Sequence, residues 1–238
     1  MMLAELELLF DYCERDAARE EYIRAIEDDN CLGKRTVSTR RLSRQRLSEL
    51  YALDPEIPLF IAFRRCWYAD DGSSYPVLAL LMSLARDPLL RETAEPILTM
   101  TPGEELSRIQ LRGRIERSAS ERLNDSTIDK VVRNTASTWT QSGHLTGRTY
   151  KVREGVPAKV MGTVFALLLG YLLGSRGDRL FSTFWTKVLD ASTDELIDKA
   201  AEARRLGFLK FIRGGGVTEL GFDELLSPPE GRDQPSVR

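Results

Sequence analysis

Histidine is nearly missing from this chain: His144 is the only one in 238 residues. The three cysteines, Cys13, Cys31 and Cys66, stand far apart, and none forms a C-x-x-C pair. Neither a zinc site nor a disulfide scaffold can be assembled from that set, so no metal is expected. Reduced, mostly buried thiols of an intracellular protein are the reading that remains. No G-x-x-x-x-G-K-[ST] loop occurs, and the run Gly214-Gly215-Gly216 is not a dinucleotide fingerprint, so no cofactor is expected either. The adjacent carboxylates Asp28-Asp29 and Asp70-Asp71 fall on helix ends or loops, where they cap and solvate. His144 lies on a helix-to-strand turn without a partner nucleophile. The sequence names no catalytic residue and no small-molecule substrate, and the protein is expected not to be an enzyme.

Long apolar runs are also scarce. The most apolar uncharged stretch, residues 160–174, has 15 residues, with Lys159 and Arg176 close on either side. At 1.5 Å per residue a helix of that length reaches about 22 Å, short of the roughly 30 Å of a hydrocarbon core. A buried central helix is expected rather than a membrane span, and Gly162, Gly170 and Gly174 would let neighbours approach closely. The first 12 residues carry Glu5, Glu7 and Asp11 and no basic residue, unlike a signal peptide. A cytoplasmic protein without membrane contact follows.

What the chain does have is charge, sorted by sign. The net charge is only −2, yet residues 1–33 hold 3 basic and 10 acidic side chains, and residues 34–48 hold 6 and 0. Residues 49–107 hold 4 and 10, residues 108–160 hold 11 and 5, and the remainder is balanced at 10 and 11. Two basic blocks therefore lie between acidic ones, an electrostatic footprint of nucleic-acid binding in an otherwise neutral protein.

Hydrophobic periodicity makes most of the chain helical. Residues 5–28 repeat at Leu6, Leu9, Phe10, Cys13, Ala17 and Tyr22 and read as one helix. Residues 39–51 read as a second, with Leu42, Leu47 and Leu50 inward and Arg40, Arg41, Arg44 and Arg46 outward. Those arginines are candidates for phosphate contact, or alternatively the solvated face of a helix paired with the acidic helix before it. Further helices are expected over 55–67, 76–85, 89–99 and 104–118, the third opened by Asp87-Pro88 and the fourth by Thr101-Pro102.

The segment after residue 125 is the most informative. Ser126-Thr127-Ile128-Asp129 resembles a capping box. At 100° per residue, Ile128, Val131, Val132, Thr135 and Trp139 share one face, and Lys130, Arg133, Asn134, Ser137 and Gln141 share the opposite one. Ser142-Gly143 ends the helix, and residues 145–153 alternate as a short basic hairpin carrying Arg148, Lys151 and Arg153. That order, helix, glycine stop and basic hairpin, is the order of a recognition helix and its wing. Trp139, on the apolar face, is expected in the core. A second unit of this kind begins at the capping box Ser192-Thr193-Asp194-Glu195 and runs to Leu220. Its exposed helix face mixes Asp198 and Glu202 with Lys199 and Arg205, which favours packing or partner contacts.

Several motifs also resemble one family. NCLGKRTVSTRRL (residues 30–42) with RLSEL (46–50), LARDPLLR (84–91) and DKVVRNTASTWTQSGHL (129–145) together resemble BrxA proteins. These are small components of BREX bacteriophage-exclusion systems, and the resemblance extends to about Leu226. It implies a mostly α fold with winged-helix elements, binding of double-stranded DNA, and a place in phage defence beside larger BREX enzymes.

The expected architecture is therefore a mostly α helical bundle with small β-hairpin wings. An N-terminal helical region would span 1–103, a DNA-binding winged-helix unit 104–157, a buried helix plus second winged unit 158–226, and a disordered tail 227–238. The expected function is that of a non-enzymatic double-stranded DNA-binding accessory protein, with other BREX components as further partners. Arg40, Arg41, Arg44, Lys130, Arg133, Arg148, Lys151 and Arg153 would meet phosphates, and Asn134 or Gln141 base edges. A protein–protein adaptor using its winged-helix surfaces is the alternative. A membrane-associated component anchored by 160–174 is a third reading.

Overall fold

The computed structural model describes residues 1–119 and 124–227. Among them are thirteen α-helices and two antiparallel two-stranded hairpins, the first hairpin after the ninth helix and the second after the twelfth. The expected tail from 228 and residues 120–123 lie outside the described residues.

The N-terminal half is a layer of helices. The helix expected over 5–28 is two, α1 (Leu3–Tyr12) and α2 (Arg19–Glu27), because the chain is extended at Cys13 and Ala18. α3 (Val37–Tyr51) is capped by the Thr36 side chain and buries Leu47 and Tyr51. Leu42, expected inward, is 52% exposed. α4 (Pro58–Ala69) and α5 (Tyr75–Arg86) are the inner pair, each with proline in its first turn. Phe10 of α1 meets Trp67 of α4 edge-on at 5.3 Å, and Tyr51 of α3 stacks on Phe63 of α4 at 5.8 Å. The helix expected over 89–99 is likewise two short ones, α6 (Pro88–Glu92) and α7 (Ala94–Leu98). Asp87 caps α6 as expected, accepting from the backbone N–H groups of Leu89 and Leu90 at 2.9 and 3.0 Å.

Thr101-Pro102 does not open a helix. The chain makes a turn there, Glu104 N–H donating to Thr101 O at 3.0 Å, and α8 (Arg108–Ala119) starts later. α9 (Asp125–Gln141) follows, then β1 (Leu145–Thr146) and β2 (Val152–Arg153). The extended segment before α8 joins this hairpin. Arg153 donates its N–H to Glu104 O at 2.9 Å, Gly103 donates to Arg153 O at 2.9 Å, and Leu106 donates to Lys151 O at 2.7 Å.

The uncharged stretch forms α10 (Val160–Leu172), with every residue from Met161 to Gly170 buried. α4, α5, α11 (Phe184–Lys187) and α12 (Thr193–Arg205) surround it, together with a 3-10 helix, Gly177–Ser182. Glycine at 170 lets that wrap close: a Cβ there would lie 3.0 Å from Thr183 Cγ2 and 3.3 Å from Leu180 Cδ2. α10 is thus the buried central helix the sequence implies, and among the described residues no helix is long and apolar enough to cross a membrane.

The chain closes with α12, the hairpin of β3 (Lys210–Gly214) and β4 (Val217–Gly221), and α13 (Asp223–Leu226). The expected capping box is present: Ser192 Oγ accepts from Glu195 N–H at 3.3 Å, and Glu195 accepts from Ser192 N–H at 2.8 Å. The buried apolar residues form one cluster from Leu6 to Leu225, so the expected segments share a single interior.

Candidate nucleic-acid interface

α9 is positioned by its apolar face and by its start. The cap is Asn124, two residues before the expected Ser126, and its side chain accepts from Thr127 N–H at 2.9 Å. Ile128, Val132, Thr135, Ala136 and Trp139 are buried. Trp139 is fully covered, and its Nε1 donates to Thr93 Oγ1 at 3.0 Å, which anchors the helix to the α6–α7 junction. Lys130, Arg133, Asn134 and Ser137 are exposed on the opposite face. The helical period orients this element correctly.

A cleft of about 460 Å³ lies between α8, α9 and the β1–β2 loop. Arg108 and Arg112 of α8, Arg133 of α9, and Arg148 and Lys151 of the loop line it, with Asp129 as the one carboxylate among the described lining residues. Three of the expected residues, Arg133, Arg148 and Lys151, are thereby brought together. Among the described residues, Lys130, Arg133 and Arg148 form no ion pair. Arg108 donates to Thr149 O at 2.9 Å and Lys151 to Gly147 O at 2.5 Å, contacts that keep both charges and hold the loop. The loop turns at Gly147, whose φ is +94°; a Cβ there would collide with the Tyr150 carbonyl oxygen.

The α8 arginines were not legible as site residues. Arg108 and Arg112 are four apart on one helical face, a spacing that signals a shared surface but not what it faces. Arg112 is the strut of the cleft: it pairs with Glu116 at 2.7 Å, with Asp125 at 2.7 Å, and with Asp129, tying α8 to α9. Its charge is spent on those carboxylates.

Other expected contacts are corrected. Arg153 alternates inward: it is 2% exposed, its Nε donates to Ile97 O at 3.1 Å, and its guanidinium pairs with Asp190. A phosphate cannot reach it. Gln141 is half-buried and accepts the Leu3 N–H at 3.2 Å, so this side chain holds α1 and is not free for a base edge. Arg44 pairs with Glu27 at 2.5 Å, Arg41 lies 3.7 Å from the same carboxylate, and Arg40 donates to Glu27 O at 3.1 Å. The α3 arginines are thus the face paired with the acidic helix before it, and none lines the cleft.

His144 is buried beneath the hairpin. Its Nε2 donates to Val188 O at 2.7 Å, and Nδ1 lies 2.9 Å from Ser142 Oγ. Burial, with Arg153 nearby, pushes its pKa down to about 4. The ring is neutral near pH 7 and serves the junction between β1 and α11.

The C-terminal hairpin presents a different surface. Lys199 pairs with Glu202 at 3.0 Å, and Lys210 with Glu219 at 2.9 Å. Lys199 of α12 and Lys210 of β3 are thus compensated locally, while Arg205 and Arg213 are exposed and form no ion pair among the described residues.

No known protein family, curated protein or solved structure matches the chain. What the interface can hold is set by its own chemistry: several donors with exposed positive charge, an amide at Asn134, and few acids to repel a polyanion.

Proposed function

We propose that the protein binds double-stranded DNA through α9 and the β1–β2 loop, acting as a winged helix without catalysing a reaction. The observation that carries this reading is the convergence of Arg133, Arg148 and Lys151 on one cleft, with Lys130 exposed on the same helix. In this arrangement α9 lies in the major groove and the loop tracks the adjacent backbone. Phosphate contacts by the cations set affinity, and Asn134 is the one remaining side chain of the expected pair free to meet a base edge. The resemblance to BrxA gives the setting: a cytoplasmic accessory protein of phage defence working beside BREX enzymes. Methyltransferase, phosphatase-like and ATPase genes next to its own gene are the expected neighbourhood.

Fluorescence anisotropy with a labelled duplex tests the interface. The Arg133→Ala/Arg148→Ala/Lys151→Ala variant should lose binding about 10-fold or more, whereas Arg40→Ala/Arg41→Ala should bind like the unmodified protein. Equal losses in both variants would remove the cleft as the binding surface.

One observation favours the adaptor alternative. Ile109, in the same cleft, is 85% exposed, and Tyr150 in the adjoining loop is 70% exposed. Apolar groups beside cations suit a protein surface as well as a sugar–phosphate one. Retained partner capture with no DNA affinity would decide for the adaptor.

A further inference from the structure

A second cleft, of about 480 Å³, opens where α4 meets the α1–α2 loop, the α12–β3 turn and α13. It shares no residue with the α8–α9 cleft. Its volume falls in the range of small-molecule sites, roughly 300–1,000 Å³. Three guanidinium groups line it: Arg15 from the α1–α2 loop, and Arg64 and Arg65 from α4.

Arg64 is the decisive one. It is 6% exposed, and its donors reach only neutral acceptors, Ala17 O at 2.9 Å and the Tyr22 hydroxyl at 3.2 Å. Among the described residues no carboxylate pairs with it. The other buried arginine, Arg153, has Asp190. A buried charge without a counter-ion is costly, and the chain supplies none here. Asp16 and Glu224 also line the cleft, but both are exposed and neither pairs with any of the three arginines. Arg65 donates to the Glu224 backbone carbonyl at 2.6 Å, and Arg15 sits over the Tyr68 ring at 5.4 Å. Both guanidiniums are therefore held in place without being neutralised. Phe208 and Leu225 add apolar surface to the lining, beside Tyr68 and Ile61.

We propose that this cleft binds a small organic anion: a phosphomonoester or carboxylate held by Arg64, with Arg15 and Arg65 at the mouth and an apolar or aromatic body against Phe208 and Leu225. The planar guanidinium fork matches both acid groups, and the missing counter-ion of Arg64 becomes the ligand's own charge. Because residues of the α1–α2 loop and α4, and of the α12–β3 turn and α13, all line the cleft, the bound anion also ties the N-terminal helices to the C-terminal elements.

Thermal unfolding of the full chain tests the site, with phenyl phosphate and benzoate as probes, and inorganic phosphate and neutral phenol as controls. One or both organic acids should raise Tm saturably by a few degrees, while the controls give little. Response to phenyl phosphate alone assigns a phosphomonoester, and response to benzoate alone a carboxylate. The rise should vanish in Arg64→Met and in Arg15→Ala/Arg65→Ala, and persist in Arg133→Ala/Arg148→Ala. Arg15 is exposed and Arg65 half-buried, so the second variant keeps the test decisive even where Arg64→Met does not fold. No rise with either acid, an equal rise with inorganic phosphate, or a rise that survives Arg15→Ala/Arg65→Ala would overturn the proposal.

Discussion

Arg153 and Asp190, 37 residues apart in sequence, are joined by a hydrogen-bonded ion pair at 2.5 Å that closes the α9–β1–β2 unit onto the turn after α11. The Arg153 side chain is 3% exposed, and the other Asp190 oxygen accepts from Val156 N–H at 3.0 Å. Removing Arg153 leaves the surface-facing Asp190 carboxylate without its partner and the Ile97 carbonyl without its donor. Arg153→Ala should therefore cost roughly 1–3 kcal/mol by chemical denaturation. A loss of DNA affinity with unchanged stability would instead return Arg153 to the binding surface.

His144 makes the same junction sensitive to acid. Its folded pKa, pushed down to about 4, lies below the ordinary value of 6.5, so in that window the unfolded chain binds the extra proton. Its contribution is complete above pH 6.5 and is lost as pH falls toward 4. The full loss is on the order of 3 kcal/mol. Stability curves between those pH values should be flatter for His144→Gln than for the unmodified protein. Parallel curves would contradict a neutral buried ring.

The two faces of α9 should separate cleanly. Lys130→Ala/Arg133→Ala should weaken duplex binding while leaving Tm nearly unchanged, because both side chains are exposed. Trp139→Ala removes a fully buried indole bonded to Thr93 and should cost about 3–5 kcal/mol. Reversal of this pattern would mean that the helix binds through its other side.

α10 should tolerate no charge. Leu168 is fully buried, and a carboxylate there would have no partner, so Leu168→Asp should abolish cooperative unfolding. Normal far- and near-UV circular dichroism from that variant would contradict a buried α10.

The parts of this structure that were legible are those fixed by local pattern. The period of α9, the Ser192 capping box, the Asp87-Pro88 start and the apolar length of α10 each carry their own signal. What local pattern cannot give is the identity of a distant partner. Alternation placed Arg153 in a basic hairpin, but only the fold brings Asp190 to it. A run of arginines in α3 looks the same whether it meets phosphate or Glu27. Gln141 sits on the polar face of its helix, yet the docking of α1 claims it. Arg108 and Arg112 gain significance only because α8 packs beside α9. The broken α1–α2 helix shows the same limit, since its apolar spacing continues through the extended residues at Cys13 and Ala18.

The proposed binding of duplex DNA by a small set of exposed cations on α9 and the β1–β2 loop is measured directly by salt titration. Four to six neutralised phosphates would give a log–log slope of affinity against salt of about −4 to −5, with little dependence on duplex sequence. Replacing Arg133, Arg148 and Lys151 by alanine should bring that slope about three units nearer zero. No detectable binding of duplex at low salt by micromolar protein, or a slope unmoved by the triple substitution, would contradict the account.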